Sequence, residues 1–522
     1  MTTPRTQRQR REFAGTPTLQ TLFAGCVPEV AAGVDGRILA VGEGARSAAG
    51  RRARVIRLRG RAWPGLIDAH VHLEGLADRH LTLDLTGVPS LQEAMTRISD
   101  WSDKLPSDGW VVGAGWYNDA WPDRAFPTRA QLDGAAGGRP AFLRRKDGHS
   151  AWVSSAALKL AGIDRDTADP PGGGIDRDQR GMPAGILRET AMQMVGTRVP
   201  HPTDTELDDA MARALAELAA LGLTGVHSMD TARGFGSWQR LRVRGALPLR
   251  ITYNLPLADL HHAERIGVRS GWGDEWLRIW GVKAFLDGSL GSRTAEMLDG
   301  SGTARVTQPD LIEMIDRCAR AELNVCLHAI GDGAVRRALD ALAPHREAWT
   351  GWRPRIEHAQ CVSPRDMRRF ARLGVIASMQ PIHAVADREL VEQYWPKVSA
   401  HAYAWGALQR VGARLAFGSD APVESADPMA GIQAAALWRR NVDWHPALAV
   451  SRAVALRAYT SGAAYAVGME KDAGTLRPGK LCDITVVDEG RVVATVVGGQ
   501  VTYLRRPPAA SRRSASKPRL RP

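Results

Sequence analysis

The chain has 522 residues, 44% of them hydrophobic and 24% charged, which is length for a barrel with an accessory domain and the composition of an ordinary soluble protein. No apolar run reaches the roughly 20 residues that a membrane-spanning helix needs, and no apolar stretch follows the basic start MTTPRTQRQRREF as it would in a secretory signal. The net charge of +13 does not point to nucleic acid, because residues 1–12 hold +3, residues 505–522 hold +7 and the body between keeps only +3.

Residues 1–16 and 505–522, rich in Arg, Ser and Pro, read as disordered basic tails with at most a weak, salt-sensitive affinity for polyanions. No specific nucleic-acid or membrane partner is expected. A small-molecule substrate is, and a homo-oligomer stays open. Cys26, Cys318, Cys326, Cys361 and Cys482 are odd in number and form no CxxC, as reduced thiols of a cytoplasmic protein would.

In chain order, residues 17–63 carry the short alternating runs TLFAGCV, RILAVGEG and RVIRLRG, read as strands of a small β domain. Residues 64–79 hold GLIDAHVHL, an apolar run that ends in two histidines. Residues 80–202 are too long for one crossover and read as an inserted lid domain. From 203 onward a helix with Leu207, Met211, Leu215 and Leu218 at three- and four-residue intervals precedes TGVHSM, 224–229. Further runs follow at RITYNL, IWGVKAF, NVCLHAI, RIEHA, VIASMQ and RLAFGSD, most of them separated by amphipathic segments. In one such segment, 363–374, Ser363 is expected to cap the helix and Pro364 to fill its first turn. Eight strands alternating with helices predict a (β/α)8 TIM barrel over 64–79 and 203–469. Residues 470–504 return to strands with Gly turns, so the small β domain is built from both termini.

The chemistry lies at the strand ends. His70 and His72 are two apart and face one side of their strand. At the C-terminal mouth of a barrel, both imidazoles would stand where such enzymes place their chemistry. One satisfied core histidine beside a surface one is the plainer alternative. Later strands, however, end at His328, His358 and Asp420, and an otherwise apolar strand carries Lys283. Imidazoles and carboxylates at several strand ends form a metal-site inventory. A lysine joins it only after reaction with CO2, which gives an N-carboxylysine.

The motifs PGLIDAHVHL, GAGWYNDAWPDRAFPTRAQLD, DGHSAWVSSAAL, VKAFLDGSLGSRTA, LHAIGDGAV, RIEHAQ, ASMQPIHAVAD and FGSDAPVESADP, in this order, resemble the amidohydrolase superfamily. Their longer forms resemble its YtcJ-like branch, which includes N-substituted formamide deformylases. The resemblance spans roughly residues 17–504. It implies two divalent ions, most often zinc, with His70, His72 and Asp420 on one and His328 and His358 on the other. Carboxylated Lys283 and a hydroxide would lie between them. The activity implied is hydrolysis of a non-peptide C–N bond, an amide or N-substituted formamide, by attack of that hydroxide on the carbonyl carbon. Asp420 would be the catalytic general base. A mononuclear deaminase, a cyclic-amide hydrolase on the same barrel, and an inactive binding or regulatory relative are the alternatives. The absence of a glutamate close after His328 favours the binuclear type.

Further candidates around a substrate are His383 after the seventh strand, Arg293 after the lysine strand, and His149 in the insertion. For each, a structural hydrogen bond is the competing reading. Trp116, with Trp121 and Trp152, would either wall an apolar substituent or form the insertion's own core. His227 is a pocket candidate. Ser154 stands where many relatives would carry asparagine, a difference that would bear on a substrate contact.

Overall fold

The computed structural model describes residues 19–505 apart from 107 and 147. The two basic tails, except residue 505, lie outside the described residues. By its contacts the chain falls into two units, one formed by the described residues up to Leu73 and from Leu215 onward, the other by Glu74–Ala214.

One sheet of the first unit has eight strands: β1 (Leu66–Val71), β2 (Leu223–Ser228), β3 (Arg250–Pro256), β4 (Leu277–Phe285), β5 (Asn324–Ala329), β6 (Arg355–His358), β7 (Ile376–Met379) and β8 (Arg414–Phe417). They pair in chain order, every ladder parallel. The barrel is closed beyond the last ladder by two backbone bonds. Asp420 N donates to His70 O and His72 N donates to Ala421 O, each at 2.8 Å. This is the predicted TIM barrel. Its strands are buried along nearly their whole length, as parallel strands covered on both faces must be. The Asp204–Ala220 helix forms with Leu207, Met211, Leu215 and Leu218 all buried. Helix Pro364–Leu373 begins at Pro364 as expected, but the Ser363 side chain makes no capping bond. The N–H of Asp366 instead takes the Ser363 carbonyl at 2.9 Å.

A seven-stranded sheet in the same unit joins four strands from residues 21–64 to three from 484–504. Antiparallel pairing of Ile484–Asp488 with Arg54–Pro64 is the seam between the two ends of the chain. The second unit is built on a six-stranded sheet and a core that includes Trp116, Trp121, Leu143 and Trp152.

Candidate metal centre

At the C-terminal ends of β1, β4, β5, β6 and β8 the six strand-end residues converge. His72 Nε2 is 3.2 Å and His70 Nε2 3.5 Å from Asp420 Oδ1. One ligand atom from each of these three lies within 4.8 Å of the others. The His358 ring centroid is 4.8 Å from that of His70 and 4.5 Å from that of His328. Lys283 Nζ is 3.3 Å from His70 Nε2. Parity explains the first pair, and left-handed backbone explains two others. His358 has φ +71° and Asp420 φ +61°, a conformation that costs a non-glycine residue about 1–3 kcal/mol. His358 ends β6, and Asp420 lies three residues past β8.

Hydrogen bonds fix which nitrogen His70 and His328 offer. His70 Nδ1 lies 2.7 Å from Glu357 Oε2. A carboxylate only accepts, so Nδ1 carries the proton and Nε2 keeps its lone pair. His328 is held the other way, with Nε2 donating to Gly288 O at 3.0 Å and a buried Nδ1 that has no protein partner. The Nδ1 of His358 is buried and likewise unpartnered. Two buried imidazole nitrogens without partners, beside a His–His–Asp cluster, fit divalent metal ions. These residues would hold them.

The electrostatics point the same way. Burial, reinforced by Lys283, pushes His70 down to about 4 and His328 down to about 3. Burial, followed by His328, puts His358 well below its ordinary value. All three rings are therefore neutral near pH 7, the form that binds metal. Burial also lowers the Lys283 ammonium. Burial alone would raise Asp420, but hydrogen bonds from His383 and His72 hold it well below the usual carboxylate range. His383 Nε2 is 3.2 Å from Asp420 Oδ2, so His383 joins the cluster. For this ring burial works downward, and the Asp420 hydrogen bond and charge outweigh it and raise its pKa.

The sequence profile of the amidohydrolase family matches residues 54–503. The chain belongs to the amidohydrolase family. It is similar to YtcJ of Bacillus subtilis, with 29% identity over 473 residues that cover 84% of this chain and 88% of that one. The N-substituted formamide deformylase of Arthrobacter pascens is 27% identical over 509 residues, 90% of this chain and 94% of its own. Among solved structures, a metal-dependent hydrolase of Pyrococcus furiosus superposes with a TM-score of 0.74 at 30% identity, over 90% of this chain and 98% of that one.

Other expected residues of the amidohydrolase have local partners of their own. Trp116 is a correction: it is fully buried in the core of the second unit, packed near Trp121, Phe126 and Trp152, and its indole N–H donates to Leu143 O at 2.8 Å. A ring with no exposed surface and a satisfied N–H is core, not a substrate wall. Ser154, also fully buried, accepts from Ala157 N and caps helix Ser155–Leu160, so its role is local. His149 belongs to the second unit, where Nδ1 pairs with Glu189 Oε1 at 2.9 Å. Arg293 lies over the Tyr394 ring, 5.5 Å from its centroid. Tyr394 ends the helix that His383 begins, an axial rise of about 16 Å. His227, proposed for a pocket, is buried with Nδ1 3.0 Å from Arg355 Nη1.

Sequence reasoning passed over the groups that hold the ligands. Glu357 and Arg355 stand behind His70. Asp287, fully buried, accepts from Ile330 N at 3.0 Å, Gly331 N at 2.8 Å and Glu296 N at 3.0 Å, which joins the loop after β4 to the loop after β5. Asp68 Oδ1 accepts from His70 N and Ser419 N, both at 3.0 Å. For Glu357 and Asp68 the available signal was a carboxylate one or two positions from a ligand, while Asp287 lies four positions after Lys283.

Proposed function

We propose that this amidohydrolase cleaves a non-peptide C–N bond, in an amide or an N-substituted formamide, with two divalent ions, zinc foremost. His70, His72 and Asp420 would hold one ion and His328 and His358 the other, with Lys283 joining them as an N-carboxylysine. The observation that carries this reading is the convergence of these six residues, with neutral histidines and two buried ring nitrogens free of protein partners. The similarity to an N-substituted formamide deformylase supports the substrate class. Buried and unpaired thiols support a reducing, cytoplasmic setting.

Bound ions would acidify water and polarise a carbonyl. The protein's own groups manage the protons. Asp420 presents Oδ1 to the two β1 histidines and Oδ2 to His383, so its carboxylate is oriented at both oxygens. In this reading it takes the proton of the attacking water and returns it to the leaving nitrogen as the C–N bond breaks, giving an amine and a carboxylate. His383, on the other side of Asp420, steadies the charge that develops on the carbonyl oxygen. Burial holds Lys283 toward its neutral amine, the form that reacts with CO2.

The test is metal content per chain on purified protein, with the intact mass of a Lys283 peptide under CO2-preserving conditions and a product assay on N-substituted formamides and amides. About two ions, a mass gain of one CO2 and release of an amine are expected. One ion with an unmodified lysine would move the reading to a mononuclear deaminase-type reaction. No metal after reconstitution would leave a binding or regulatory relative.

A further inference from the structure

Glu357 and His358 are consecutive, and in a regular strand their side chains would face opposite ways. The left-handed turn at His358, φ +71°, lets both reach one imidazole. Glu357 Oε2 is 2.7 Å from His70 Nδ1, while the His358 ring lies 4.8 Å from the His70 ring. Two further bonds to Glu357 come from Arg355, two residues back on β6. Its Nε donates to Oε1 at 2.8 Å and its Nη2 to Oε2 at 3.1 Å, a two-pronged clamp. The guanidinium is itself tied at three points: Nη2 donates to Ala69 O at 2.5 Å and Ser378 Oγ at 2.9 Å, and Nη1 to His227 Nδ1 at 3.0 Å. Both Arg355 and Glu357 are fully buried, so solvent does not compete for these bonds.

We infer that Glu357, clamped by Arg355, is the positioning residue that sets the metal affinity of His70. Acting through the imidazole, it accepts the hydrogen bond of Nδ1–H, fixes the tautomer and turns the Nε2 lone pair toward Asp420. A carboxylate suits this because it only accepts, whereas an amide in its place can present either a carbonyl or an N–H to the ring. Arg355 is needed because its planar fork leaves the carboxylate one orientation, a constraint that the single ammonium of a lysine does not impose. His227 has a role here that its place on β2 did not suggest: as an acceptor for Nη1 it keeps the guanidinium from turning. The inference rests on the proposed function only in taking His70 as a metal ligand, and it is independent of the bond cleaved.

Full-length protein stripped with a chelator and titrated with Co2+, followed by visible absorption and by competition with a chromophoric chelator, tests it. Glu357→Gln is expected to weaken the tighter Co2+ site by about 10–100-fold, and Arg355→Lys to weaken it less, with thermal melts in chelator reporting the folded state. The double variant Arg355→Met/Glu357→Gln removes both buried charges, a replacement that cores often tolerate, and should also lose the affinity. A folded Glu357→Gln, or a folded double variant, with wild-type affinity would overturn the inference. Histidine-selective 15N spectra of metal-free wild type need no variant: an Nδ1–H tautomer at His70 is expected, and an Nε2–H tautomer there would overturn it. Wild type that binds Co2+ yet cleaves no amide would sink the proposed function and leave this inference standing. Wild type that takes up no Co2+ would sink both.

Discussion

Asp420 divides its two carboxylate oxygens between two sides of the site: Oδ1 lies 3.2 Å from His72 Nε2, and Oδ2 lies 3.2 Å from His383 Nε2. One group thus serves the cluster at the end of β1 and a ring at the start of helix His383–Tyr394. Asn in its place keeps the shape but loses the charge and the capacity to take a proton. Asp420→Asn is therefore expected to lower kcat by at least about 10²–10⁴-fold while part of the metal stays bound. Steady-state rates beside metal analysis of the same sample check this. Wild-type turnover would remove Asp420 from the chemistry.

His383 touches Asp420 but is not needed for the cluster of His70, His72 and Asp420. His383→Asn should therefore separate the two roles. Metal content per chain is expected to match wild type, while kcat falls by about 10²-fold. A variant that loses metal in proportion to rate would make His383 a support of the site and not a partner in the reaction.

The barrel was legible because each βα repeat carries its own hydrophobic period, and the strand-end residues because parity alone puts His70 and His72 on one face. What escaped depends on backbone turns and on tertiary partners. Glu357 sits on the wrong parity for a site shared with His358 until the φ of His358 is known. Asp287 acts on main-chain N–H groups of residues 296, 330 and 331, and no residue type marks those. For Trp116 the sequence favours the insertion's own core over a substrate wall, and its burial agrees with the core reading.

That burial gives a stability prediction. Trp116 is fully enclosed with its N–H bonded to Leu143 O, so Trp116→Ala should cost about 3–5 kcal/mol in urea unfolding. KM of whatever protein remains folded should be unchanged. A raised KM with unchanged stability would restore Trp116 to the substrate site.

Acid should unfold the metal-free protein. Burial depresses His70 to about 4 and His328 to about 3, and holds His227 and His358 well below 6.5. A histidine with a depressed folded pKa favours folding above its unfolded value of about 6.5, and that contribution is lost as pH falls toward the folded pKa. Burial raises Asp68 and Asp287 to about 6, and these two act oppositely, gaining stability as pH falls from 6 toward 4. The four histidines carry the larger set of strong shifts, so the metal-free protein is expected to lose stability as pH falls from 6.5 toward 5. Urea midpoints of chelated protein at pH 7, 6 and 5 measure it. Saturating metal, which binds the neutral rings, should hold the midpoint up at pH 6. A midpoint that rises on acidification would mean the carboxyls dominate.

The loop after β4 offers the most selective test of the second half of the site. Gly288 presents its carbonyl to His328 Nε2 at 3.0 Å, which leaves Nδ1 as the lone-pair nitrogen. A Cβ at Gly288 would lie 1.8 Å from Thr294 Oγ1 and 2.6 Å from Thr294 Cβ, so the loop must shift and carry that carbonyl with it. With the Nε2 acceptor gone, His328 is free to turn or to change tautomer. The His70, His72 and Asp420 cluster does not depend on this loop. Gly288→Ala is therefore expected to retain about one ion where wild type retains about two, with a loss of stability of about 1–3 kcal/mol from overpacking. Metal analysis after dialysis, paired with a thermal melt, reads both quantities. Full retention of metal would show that His328 needs no fixed tautomer, and loss of all metal would show that the two halves of the site are filled as one.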